Sequence, residues 1–115
     1  MKITVKNLRS VIDVIMSGLE ADGIDTIEIS DDYYWHLPKD KAYNPYEEPN
    51  VRDYSLGQLS DDWEVLMSLL TTNEDLGHVA LIKLAPLLRN IGEKAYLFED
   101  GREKIKVTHY PNRLP

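Results

Sequence analysis

Leu8, Val11, Ile12, Ile15 and Leu19 recur at helical spacing and mark one apolar face near residues 7–22. Asn7 is a suitable N-cap, with Thr4 as the alternative, and Gly23 suits the position just past the helix end. Gly18 lies inside the pattern, where it costs about 1 kcal/mol relative to Ala and would let another element come close. In the following IDTIEIS, Ile27 and Ile29 alternate with polar residues, which predicts a short strand near 26–29. A second helix is expected over 60–72. Ser60 is its N-cap, Asp61, Asp62 and Glu64 sit on the positive end of the dipole, and Trp63, Leu66, Met67 and Leu70 form its buried face. A third is expected over 77–92, with Leu81, Leu84, Ala85, Leu88 and Ile91 on one face, a kink at Pro86 and an end at Gly92. Asp100–Gly101 is a turn signal between 96–98 and 105–107, which makes a candidate C-terminal hairpin, and 111–115 should fray. The pattern is that of a mostly helical α+β single domain spanning 1–115, with three main helices and a short strand.

The segment between strand and second helix, DDYYWHLPKDKAYNPYEEP, breaks both periodicities. Pro38, Pro45 and Pro49 remove amide donors and exclude a continuous helix or central strand, so a long aromatic loop is expected. Its aromatics argue against disorder. Two uses remain open. The rings fold back over a core that three helices cannot close, or they form a recognition surface. If 31–36 is extended, alternation separates Tyr33 and Trp35 from Tyr34. The expectation is that Tyr33 and Trp35 cover the core. Tyr34, Tyr43 and Tyr46, with Asp32, Glu47 and Glu48, would then form an outward partner-binding face.

Charge narrows the partners. The net charge is −7, with a pI near 4.8. An acidic surface repels nucleic acid, whose binding depends on Lys and Arg, and favours a basic protein partner. The C-terminal end is locally basic, through Arg102, Lys104, Lys106 and Arg113. The chain has no cysteine, so disulfides, thiolate zinc sites and cysteine nucleophiles are excluded. No apolar run approaches the roughly 20 residues that span a bilayer. The N-terminal MKITVKNLRSVIDVIM has the outline of a signal peptide, but Arg9 and Asp13 interrupt it and no small-residue cleavage site follows. A cytoplasmic location without membrane contact is expected.

Catalytic chemistry finds no pattern. His36, His78 and His109 are scattered, without HExxH or His-x-His spacing. No serine lies in GxSxG, and no glycine-rich phosphate cradle occurs. Asp31, Asp32 and His36 match no standard cation loop. The expectation is a non-enzymatic chain with no cofactor, no metal and no catalytic residue.

YYWHLP, YSLGQLSDDWEVL and LIKLAPLLRNIGEKA together resemble a group of short bacterial proteins of unassigned function. Those proteins carry an aromatic segment before a GQLSDDWE-like helix start and an LAxxLRxIGE-like helix end. The likeness covers about residues 28–95. It implies a shared fold and brings no activity with it. Gln58 and Arg89 stand out within it, because neither capping nor core packing explains them, and Arg89 is placed to pair with Asp61 or Asp62. In size, charge and aromatic display the chain also resembles the immunity proteins of bacterial toxin systems, though it has no diagnostic immunity motif. That likeness implies an inhibitor that occludes a basic toxin. The alternatives are a homo-oligomerising structural subunit, with a homodimer as its simplest form, and a small ligand-binding domain or enzyme with the aromatic loop as pocket wall.

Overall fold

The computed structural model describes residues 1–73 and 75–98, with side chains as far as Lys94. The fold is mostly helical α+β, with four α-helices and one two-stranded antiparallel sheet among the described residues. The chain divides into two compact units, one of residues 1–28 and 90–115 and the other of residues 29–89.

In the first unit, α1 runs from Val5 to Ala21. Thr4, the alternative to Asn7, is the N-cap, and its side chain accepts the Asn7 amide at 3.1 Å. The helix ends in a Schellman turn. The Gly23 amide donates to the Glu20 carbonyl at 2.9 Å and the Ile24 amide to the Leu19 carbonyl at 3.0 Å. Gly23 sits at φ +81°, a conformation that a side chain would oppose. Ile24 packs on Leu19, completing the turn with an apolar contact that Met16 and Ile27 extend. The buried stripe is therefore shorter than the periodicity suggests, because Leu8, Val11 and Ile12 are exposed.

The strand expected at 26–29 does not form. Those residues have no regular structure. Ile27 packs against Leu19, while Ile29 packs on the core of the second unit. Each isoleucine is partly buried by its side-chain contacts, and among the described residues no strand pairs with them.

The sheet forms instead between the stretch expected to be a loop and the residues just before the second helix. β1 (Tyr33–His36) pairs antiparallel with β2 (Ser55–Gln58), in the register Tyr33 to Gln58, Tyr34 to Gly57, Trp35 to Leu56 and His36 to Ser55. The prolines flank the strands and leave them intact, which is where strands tolerate them. Between them come a one-turn helix, α2 (Lys39–Ala42), and a 3-10 turn at Val51–Asp53. Asn50 and Asp53 close that turn with a reciprocal capping box.

α3 (Leu59–Met67) starts directly at the end of β2, and a 3-10 turn at Ser68–Leu70 follows it. Leu59 and Leu66 are buried with Leu87, and Ile29, Tyr34, Ala80 and Leu84 pack around them. Trp63, Met67 and Leu70, expected inside with Leu66, are exposed. The inward stripe of α3 is Leu59, Asp62 and Leu66, so an acid occupies the place assigned to tryptophan.

α4 (His78–Phe98) continues through Pro86, and through Gly92 where an end was expected. Its inward residues are Ala80, Leu84 and Leu87, and Leu81, Ile82 and Leu88 are exposed. The missing Pro86 amide leaves the Ile82 carbonyl without its helical donor. Residues 96–98 are helical, which removes the first strand of the expected hairpin. Its second strand and the terminal fraying at 111–115 lie outside the described residues.

Candidate functional site

Alternation along β1 divides its residues between two faces of the sheet. The expected phase is reversed: Tyr34 points in, and Tyr33 and Trp35 point out. The reason lies opposite. Gly57 is the cross-strand partner of Tyr34 and has no side chain, so the ring lies flat across it. A Cβ built on Gly57 would stand 2.2 Å from Tyr34 Cζ. This path carries the phenol to α3, where it donates to Asp62 Oδ2 at 2.6 Å. Lys83 Nζ on α4 meets Asp62 Oδ1 at 3.2 Å.

Asp62 is 4% exposed, and a buried carboxylate is costly unless paired and hydrogen-bonded. Here each oxygen has a partner, and strand, α3 and α4 converge on one charge. Burial, reinforced by the hydrogen bond to Asp62 and its charge, pushes the Tyr34 phenol up to about 12. At neutral pH Tyr34 is therefore a fixed donor and no base. The ion pair on Asp62 comes from Lys83, a residue the sequence pattern did not single out.

Asp32 does the work expected of Ser60. No side chain of the residue before α3, Gln58, caps the helix. The Asp32 carboxylate takes that place from 28 residues away in sequence. Its Oδ1 accepts the Ser60 amide at 2.7 Å, and its Oδ2 accepts Ser60 Oγ at 2.8 Å and Gln58 Nε2 at 2.9 Å. The Leu59 amide donates to the Asp32 carbonyl at 2.7 Å. These donors, first Gln58 and Ser60 side chains, hold the Asp32 carboxyl below its ordinary range. Gln58 thus has a structural role: it ties the strand end to the cap.

An open groove of about 460 Å³ runs beside this cluster, lined among others by Tyr33, Tyr34, His36, Gln58, Asp62 and Lys83. Within it Tyr34 and Lys83 both bond Asp62, and Gln58 bonds Asp32. Among the described residues no three His, Asp or Glu side chains are gathered closely enough to hold a metal ion.

The outer side differs. Tyr33 is 61% exposed and Trp35 69%, and Leu56, opposite Trp35, is also exposed. Trp35 meets Tyr54 edge to face, with centroids 6.3 Å apart. Tyr43 at 82% and Tyr46 at 95% are more exposed still. Glu47 and Glu48 are exposed, and Glu47 pairs with Lys41, whose ammonium it pushes up. Of the six residues expected on a recognition face, Tyr43, Tyr46, Glu47 and Glu48 are exposed, whereas Asp32 and Tyr34 are half-buried and engaged within the fold. On this side of the sheet, Tyr33, Trp35, Tyr54 and Leu56 are exposed although the pattern did not assign them outward. The glycine in YSLGQ was the available signal, since a glycine inside a strand marks close approach of a neighbour.

Among the described residues no helix is long and apolar enough to cross a membrane. The chain matches no protein-family model, no curated protein and no solved structure.

Proposed function

We propose that this protein is a non-enzymatic protein-binding domain, most specifically an immunity-like inhibitor that occludes the basic surface of a bacterial toxin. The observation that carries the reading is the coincidence of charge and exposed rings in one unit. Residues 29–89 hold eleven Asp and Glu against five Lys and Arg, a formal charge of −6 out of the chain's −7. The same segment displays Tyr33, Trp35, Tyr43 and Tyr46 to solvent.

Tyr and Trp offer large contact area with few rotatable bonds, and they dominate the energetics of protein interfaces. An acidic field around them accelerates encounter with a basic partner and discourages like-charged ones. The mechanism is occlusion. Rings anchor on the partner, and the carboxylates compete for the cationic groups that its own substrate would use. The Asp62 cluster keeps the sheet in place under that surface.

The test is co-expression with the product of the gene immediately upstream. The expected result is that this product arrests growth alone and that the protein restores it. Restoration should weaken in Trp35→Ala and in Tyr43→Ala with Tyr46→Ala. A harmless product, or arrest that the protein does not relieve, overturns the immunity reading.

A further inference from the structure

The backbone of β1 faces two ways, and among the described residues only one of them is occupied. The bond from the Leu59 amide to the Asp32 carbonyl makes 32 and 59 a hydrogen-bonded pair in the antiparallel register. Bonded and non-bonded pairs alternate, so Tyr34 and His36 turn their amides and carbonyls toward β2, and Tyr33 and Trp35 turn theirs away. Among the described residues the sheet has two strands, and no backbone or side-chain group bonds to these outward groups. The two residues with open backbone are thus the two whose rings stand exposed.

We infer that β1 is a docking edge for an extended basic segment of another protein, which adds as a third, antiparallel strand. The inference rests on the protein-binding reading above and specifies its mode. In such a strand the residues opposite Tyr33 and Trp35 form two-bond pairs with them and place their side chains on the same outer face. Lys or Arg there lies against the ring faces, a favourable cation–π arrangement, within the field of a segment carrying −6. Asp31, two residues before Tyr33 and exposed, extends that field along the edge. Pro38, which has no amide, limits the edge at its other end.

Charge also decides against the simplest rival, a second copy pairing edge to edge. Open edges invite self-association unless something opposes it. Two chains of −7 repel, and neither segment 29–89 offers a cationic strand to the other.

The edge is tested with the peptide (Lys-Val)4 and two versions carrying the same number of N-methyl groups, on the lysine amides or on the valine amides. In the inferred register the lysine amides face β1 and the valine amides face away. The isotope-labelled protein should show backbone amide shifts centred on Tyr33 and Trp35. N-methylation at lysine should weaken binding at least about tenfold, and N-methylation at valine should leave it within about threefold, because only the first set donates to the edge. Equal binding of the two methylated peptides, shifts centred elsewhere, equal binding of (Glu-Val)4, or no binding at millimolar peptide each overturns the inference. So does a concentration-dependent dimer whose Trp35 amide is already protected from hydrogen exchange. If the methylation pattern holds and co-expression fails, the immunity reading alone falls. If co-expression succeeds and the methylated peptides bind alike, strand addition alone falls.

Discussion

Tyr34 and Trp35 are adjacent in sequence and have opposite roles. Tyr34 crosses a glycine, reaches a buried carboxylate and is part of the fold. Trp35 stands opposite Leu56, meets one ring and is mostly in solvent. Propensity does not separate them, since both residues suit a strand. The cross-strand neighbour does: a missing Cβ at 57 opens the inner face to a ring, and a buried acid at 62 gives its hydroxyl a partner. One face of the sheet therefore contributes stability and the other is left available for contact.

The largest expected effect comes from closing the inner path. In Gly57→Ala the new methyl would stand 2.2 Å from Tyr34 Cζ, so the ring must leave and its bond to Asp62 breaks. The expected cost is about 2–3 kcal/mol by denaturant unfolding, a lost charged hydrogen bond plus displaced packing. In a Tyr34→Ala background the same substitution should cost well under half of that, because the clash is gone. A full cost in both backgrounds would mean that the backbone at 57, and not the ring, requires glycine.

Tyr34→Phe keeps the ring and removes only the donor. The expected loss is about 1.5–2 kcal/mol, the lower part of the range for a hydrogen bond to a charged group. The pH dependence has a defined sign. The folded phenol titrates at about 12 against 10.0 ordinarily, so its contribution is complete below pH 10 and is lost as pH rises through 12. Ultraviolet titration should show a tyrosine ionising near pH 12 in the native protein that the Tyr34→Phe substitution removes.

Asp32 joins the two faces, since it caps α3 from the residue before β1. Asp32→Asn should destabilise less than Tyr34→Phe, because an amide oxygen still accepts the Ser60 amide. Its folded pKa is depressed, so the carboxylate's contribution is present above the ordinary value of 3.8 and lost as pH falls through the lower, folded one. Wild type and variant should therefore converge in stability once pH has fallen through the lowered, folded value of the carboxyl in acid unfolding curves. A gap that persists there would show that the cap does not depend on charge.

The helices were legible in the sequence because their periodicity is local. Leu19, Leu66 and Leu84 hold the inward positions that spacing assigns them. The rotation of each stripe was less legible. On α3 the sequence offers Trp63 and Asp62 side by side, and hydrophobicity alone puts the tryptophan inside. The acid lies inside because Tyr34 and Lys83 meet it there, from 28 residues before and 21 after. Strand pairing failed for the same reason. IDTIEIS has the better alternation, but YYWH has a partner in SLGQ, and pairing is a property of two segments. Ser60 is a good capping residue by type and is itself the donor to a distant cap. Of the expected recognition face, the exposure of Tyr43, Tyr46, Glu47 and Glu48 could be read from their proline-rich surroundings, whereas the phase of β1 required knowing what lies across from it.

The smallest stability effect belongs to the outer face, and its smallness is what sharpens the comparison. Trp35 makes one aromatic contact, edge to face with Tyr54 at 6.3 Å, and both rings are exposed. Trp35→Ala should change stability by less than about 1 kcal/mol, and the coupling with Tyr54→Ala in a double-mutant cycle should be about 0.5 kcal/mol, the lower end for an aromatic pair. A loss as large as that of Gly57→Ala would make Trp35 part of the core and return the aromatic segment to the covering role that was the alternative. A small loss together with weakened partner binding would separate folding from recognition at consecutive positions. Selection on recognition can then vary Trp35 and Tyr33 freely, because the sheet that presents them is held from its other side by Tyr34, Gly57 and Asp62.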